Sequence, residues 1–155
     1  MAGNNNRGRR KYCLSNAQRS NPRINILDGR RIHIGRSITS YATAVHLQVN
    51  ILYQLLDRYN ITTVIIHQNP QGERLIHLQG NLLDITDEMR SEILQQVDRV
   101  NRVNNSFNRS LEELYQVQEE LGRLGVQNAH LDNTETNIRI KTQAMTRFLA
   151  RVRFD

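Results

Sequence analysis

From Met89 to Val152 apolar side chains recur with a seven-residue period. With position a set at Ile93, the a positions include Ile93, Val100, Phe107, Leu114, Leu121 and Leu149, and the d positions include Met89, Val103, Val117, Leu124, Leu131, Ile138, Met145 and Val152. Fourteen of the nineteen a and d positions are apolar, against ten of the other forty-five in the span, so the period separates one face from the rest. It predicts a long amphipathic helix over 84–155. Asp84, Asp87 and Glu88 lie at its start, where free backbone N–H groups and the helix dipole favour acceptors and negative charge. At 1.5 Å per residue the heptad-patterned span is about 95 Å long, and a helix of that length needs a surface to cover its stripe. The expected oligomer interface is therefore Ile93, Val100, Val103, Phe107, Leu114, Val117, Leu121, Leu124, Leu131, Ile138, Met145 and Leu149, facing a second copy of the chain or a helical protein partner.

Two arrangements of this segment stay open. Gly122 and Gly125 each cost about 1 kcal/mol inside a helix, and Asp132 and Glu135 have the spacing of a capping box. These features argue for a break within 122–135 and an antiparallel helical hairpin. The unbroken heptad phase and Asn128 at an a position argue for a coiled coil. The positions a parallel coiled coil would pair, such as Glu113 with Gln118 and Glu120 with Gly125, offer no attraction. Folding back near 127 would instead bring Glu112, Glu113, Glu119 and Glu120 beside Arg139 and Lys141.

Upstream the pattern shortens. Ile24–Leu27 and Arg30–Ile34 are rich in β-branched residues and flank Asp28-Gly29, which predicts a hairpin with a type I′ turn. Ser37, Thr39 and Ser40 offer N-caps for a helix over 40–59, whose stripe is Tyr41, Val45, Val49, Leu52, Leu56 and Tyr59. A second hairpin pairs Ile61–Gln68 with Glu73–Gln79 across Asn69-Pro70-Gln71-Gly72. With Gln68 opposite Glu73, Val64, Ile66 and Leu75 fall on one side and Ile65, Ile76 and Leu78 on the other, so both faces read as buried. The expected fold class is α+β: a flexible arm over 1–21, a small ββαββ unit over 22–83, then the long helical segment as coiled coil or antiparallel hairpin.

Charge changes the picture most at the N-terminal end. The net charge is +6, yet residues 1–36 alone hold nine Arg or Lys and one carboxylate, Asp28. Nineteen of the 21 cations are Arg, whose planar fork suits phosphate or carboxylate. Arg7, Arg9, Arg10, Lys11, Arg19, Arg23, Arg30 and Arg31 are the candidate nucleic-acid contacts, with another acidic partner as the alternative. Tyr12 is the only aromatic of the arm, so a base-stacking platform has little support there. A second basic run, Arg139, Lys141, Arg147, Arg151 and Arg153, reads first as cations at a helix C-terminus and second as another polyanion contact.

Candidate chemistry is sparse. Cys13 is the only cysteine, which excludes an internal disulfide and cysteine-based metal sites. His33, His46, His67, His77 and His130 lack the spacing of metal ligands on a helix. No phosphate-cradling glycine loop and no nucleophile with an oriented base can be read. No cofactor, metal or enzymatic activity is expected. No apolar run approaches the roughly 18 residues of a membrane span, and the start lacks a signal-peptide core, so a location inside a cell or a virion is expected. The leading expectation is a structural protein that assembles through its helix and holds nucleic acid through its arm. An Arg/Asn-rich arm on an assembly helix is an outline shared with virion and nucleoprotein components, although no motif identifies a family. The alternative is an adaptor whose helix docks on a foreign protein, with the arm serving localisation.

Overall fold

The computed structural model describes residues 14–82, 84–126 and 133–155. In chain order these form α1 (Asn16–Arg19), α2 (Pro22–Arg58), β1 (Ile61–Gln68), β2 (Arg74–Gly80), α3 (Asp87–Arg123), α4 (Thr134–Arg151) and β3 (Val152–Phe154). The fold is mixed α+β, with a three-stranded sheet in place of a ββαββ unit. The chain divides into two compact units. One is Met1–Thr43 with Asn104–Ile140, the other Ala44–Val103 with Lys141–Asp155. Residues of α2, α3 and α4 therefore belong to both.

The expected first hairpin is absent, because residues 22–58 are one helix. Asn21 caps it, its Oδ1 accepting from the Arg23 amide at 2.9 Å, and Pro22 stands at the first helical position, where its missing N–H costs nothing. The β-branched residues around Asp28-Gly29 suggested alternation, but the buried set is Ile24, Leu27, Arg31, Ile34, Ile38 and Ala42. That is helical spacing, and Ile26, which a strand would place beside Ile24, is exposed. Packing of this stripe outweighs the cost of Gly29. Ser37 and Thr39, expected as caps, lie mid-helix. Their hydroxyls donate to the carbonyls of His33 and Gly35, four residues back.

In the first unit, that α2 stripe packs against Phe107, Leu114, Val117 and Leu121 of α3, with Val126 beyond it. Two polar groups are built into this core. Arg31 is fully buried and donates to Asp28 at 3.1 Å, and Thr39 accepts from the side chains of Asn133 and Asn137. Part of the expected arm is ordered. Ser15 and Gln18 form a reciprocal capping box on α1, Leu14 packs on the core, and Gln18 donates to the Gly125 carbonyl. Residues 1–13 lie outside the described residues.

Helix α3 ends within the segment where a break was expected. The Val126 amide donates to the Leu121 carbonyl at 2.9 Å and the Gly125 amide to that of Gly122 at 3.0 Å, with Gly125 at φ 86. This is the Schellman arrangement, which needs a left-handed residue after the helix. The predicted capping residue Asp132 lies outside the described residues. The fold-back alternative would set Glu112, Glu113, Glu119 and Glu120 beside Arg139 and Lys141. Instead Glu120 pairs with Arg23 at 2.5 Å and Glu119 with Arg123 at 2.6 Å.

In the second unit the sheet order is β2-β1-β3, with β1 antiparallel to β2 and parallel to β3. The hairpin is confirmed, but its register differs by one residue: Gln68 faces Arg74. The Asn69 carbonyl accepts from the Gly72 amide and the Asn69 amide donates to the Glu73 carbonyl, both at 2.9 Å, and Gly72 sits at φ 85. That is a three-residue loop with a left-handed closing glycine. A one-residue slip exchanges the faces. Val64, Ile66, Ile76 and Leu78 now share one side, which packs with Val49, Leu52, Leu56, Ile93, Val97, Val100, Phe148 and Val152. The other side carries His67, Leu75 and His77 toward solvent, so the sheet is buried on one face, not two. For α3, Thr86 is the N-cap, accepting from the Met89 amide at 3.1 Å. Asp87 and Glu88 fill the first turn.

Candidate functional site

The cationic end of α2 is sorted by its helical geometry. Adjacent residues on a helix point about 100° apart, so Arg30 is exposed while Arg31 lies in the core. Arg31 is thereby removed from the candidate nucleic-acid contacts. Arg23 is held by Glu120 through Nε and Nη2. Arg19, Arg30 and Arg36 are exposed and form no ion pair among the described residues. Arg7, Arg9, Arg10 and Lys11 lie outside the described residues. By sequence, this unit carries twelve Arg or Lys against seven Asp or Glu.

The C-terminal cations are arranged differently. Arg147 and Arg151, one turn apart on α4, both lie over the Tyr53 ring of α2, at 4.6 and 4.8 Å from its centroid. The Tyr53 hydroxyl donates to the Arg147 carbonyl at 2.6 Å. Arg151 donates to Asp57 at 3.0 Å and to the Thr62 carbonyl at 3.2 Å, and also bonds the Ile61 carbonyl. Arg147 donates Nη1 to Asn50 Oδ1 at 2.7 Å. Asn50 Nδ2 lies 3.2 Å from His46 Nε2. The two arginines were visible in the sequence, and His46 only as one of five histidines, whereas Tyr53 and Asn50 were not picked out. Their i, i+3 and i+4 spacings on α2 were the available signal.

Other chemistry is thin. His33, His46, His67 and His77 are all exposed. His67 and His77, expected on opposite sides of the hairpin, share its outer face through the observed register. His130 and Cys13 lie outside the described residues. Among the described residues no group of three or more His, Cys, Asp or Glu could hold a metal ion. An open cleft of about 340 Å³ is lined by Tyr59, Asn60, Asn81, Leu82, Asp84 and Met89. The Tyr59 hydroxyl donates to Glu92 at 2.8 Å, and that bond raises its pKa. Among the described residues the cleft offers one carboxylate, two carboxamides and a phenol, without a nucleophile held against a base. Elsewhere, Arg74 grips Asp98 through both nitrogens at 2.6 and 3.0 Å. This hydrogen bonding holds Asp98 below the usual carboxylate range. Burial lowers the Lys141 pKa.

The heptad residues have a different partner from the one expected. Ile93, Val100, Phe107, Leu114, Val117 and Leu121 are buried in the chain's own two cores, and Val103, Ile138 and Met145 pack at their margins. Their stripe is covered from within the chain. Leu124 and Leu149 are exposed, and Leu131 lies outside the described residues. On α4 the buried residues are Thr134, Asn137, Ala144 and Phe148, none of them a heptad position. No helix among the described residues is long and apolar enough to cross a membrane. No protein-family model, curated protein or solved structure matches the chain.

Proposed function

We propose that the chain is a non-enzymatic nucleic-acid-binding protein, of the kind found in nucleoprotein or virion assemblies, in which a folded helical core mounts a cationic N-terminal surface. The observation that carries the reading is the exposure of Arg19, Arg30 and Arg36 with no carboxylate against them among the described residues. These positions follow directly on the Arg7–Lys11 run in the sequence. Guanidinium groups displace condensed counterions from a phosphate backbone, which gives sequence-independent, salt-sensitive binding.

The test is the salt dependence of binding to a generic duplex. Each neutralised phosphate contributes about 0.9 to the slope of log K against log salt. The double variant Arg30→Gln/Arg36→Gln should therefore lower the slope by roughly 1.8, and deletion of residues 1–13 should lower it further. The deletion stops there because Leu14, Ser15 and Gln18 belong to the folded unit. An unchanged slope in both variants would sink the proposal.

A further inference from the structure

Arg147 and Arg151 share one aromatic ring but not one fate. Arg151 bonds two carbonyls at the start of β1 and the Asp57 carboxylate, and its side chain is only 17% exposed. It is committed to tying α4 to α2 and the sheet. Arg147 is exposed and forms no ion pair among the described residues. Among the described residues its side chain makes one hydrogen bond, to a neutral amide, Asn50 Oδ1. Because that oxygen faces Arg147, the Asn50 amide turns Nδ2 toward His46 Nε2, so the acceptor holding the guanidinium is itself oriented. A guanidinium carries five N–H donors, and one is used among the described residues.

Two cations four residues apart on a helix repel, and freezing a long side chain costs rotamer entropy. Stacking on Tyr53 offsets part of both costs through cation–π attraction. The result is a charged fork held in place at an exposed position. A planar fork of this kind fits two oxygens of a phosphate.

We infer that Arg147, held by Tyr53 and Asn50, is a phosphate-binding position of the second unit, and that its ligand is the phosphodiester backbone of a nucleic acid. The identity of the ligand rests on the nucleic-acid reading above, whereas the site uses none of the N-terminal cations. Arg147 touches the phosphate, Tyr53 and Asn50 act as positioning residues, and Arg151 supplies background charge.

The measurement is duplex binding by the full chain across a salt series. In Arg147→Gln the slope should fall by about 0.9, corresponding to about eightfold weaker binding at 0.1 M salt that closes toward 1 M. In Arg147→Lys the charge remains and the fork is lost, so the slope should be kept while affinity falls. Thermal melting of the free protein should stay level in both variants, since Arg147 carries little of the core. Wild-type slope and affinity in Arg147→Gln would overturn the inference. If Arg30→Gln/Arg36→Gln still lowers the slope in that case, the N-terminal reading survives alone. A full chain whose binding to duplex shows no salt dependence would overturn both.

Discussion

Helices α3 and α4 continue one heptad pattern, yet only α3 obeys it. Along α3 the a positions Ile93, Val100, Phe107, Leu114 and Leu121 are each at most 1% exposed. Along α4 the pattern calls for Leu149, which is 55% exposed, whereas its neighbour Phe148 is fully buried. The reason lies between them. Gly125 ends α3 and α4 starts afresh at Thr134, so the second helix is free to choose its own facing. It is turned so that Ala144, Phe148 and Val152 meet the sheet-side core. A periodic pattern transmits its phase only as far as the backbone stays helical.

Truncating the two neighbours should separate them most. Phe148→Ala should destabilise the protein by about 3–5 kcal/mol and Leu114→Ala by about 2–5 kcal/mol, while Leu149→Ala should stay within about 0.5 kcal/mol, all by urea unfolding. Equal costs at 148 and 149 would mean that α4 uses the heptad face after all. The break itself is tested at Gly125. A side chain there must adopt a left-handed backbone, so Gly125→Ala should cost about 1 kcal/mol, and Gly125→Asn less. No cost in the alanine variant would show that the helix end does not depend on that conformation. The smallest effect concerns the flank of α3. The Arg74 bond keeps the folded-state pKa of Asp98 below its unfolded value near 3.9. Its contribution is therefore full above about pH 4 and is lost as pH falls through the depressed value. Because the pair is partly exposed, Asp98→Asn should cost only about 0.5 kcal/mol at neutral pH and should flatten the acid limb of the stability curve. A wild-type limb in the variant would remove the pair from the acid response.

Much of the fold was legible where one periodicity had no rival. The stripe from Val45 to Leu56, the β1–β2 hairpin and the a positions of α3 could all be read from spacing. Residues 24–34 misled because Ile24, Ile26, Ile32 and Ile34 satisfy a two-residue period as well as a helical one in part. The deciding contacts, with Phe107 and Leu114, lie some eighty residues away in sequence. The hairpin register depended on whether three or four residues closed the loop, and Asn69 settled it through its own backbone bonds to Glu73 and Gly72. The pairing of β3 with β1 had no local signal, since three residues after a helix rarely announce a strand. For the candidate site, the cationic surplus was visible at once. Which guanidinium is sunk in a core beside Asp28, which is stacked on Tyr53, and which is left to solvent was not, because neighbours such as Arg30 and Arg31 are distinguished only by the helix that carries them.

The parallel pairing of Val64 with Val152 also sets a clock. The two residues are 88 positions apart, and at roughly 5–20 residues per second of synthesis the middle strand is made several seconds before its second neighbour. The β1–β2 hairpin can close within about 10 μs, so for most of that interval Ile61–Gln68 presents an apolar, β-branched open edge, the sort of edge on which chains pair with one another. Both units need residues from α4, so neither can finish early. Slow steps in translation between residues 80 and 150, or crowding of nascent chains on one message, should therefore raise aggregation more than changes made after Phe154 has paired.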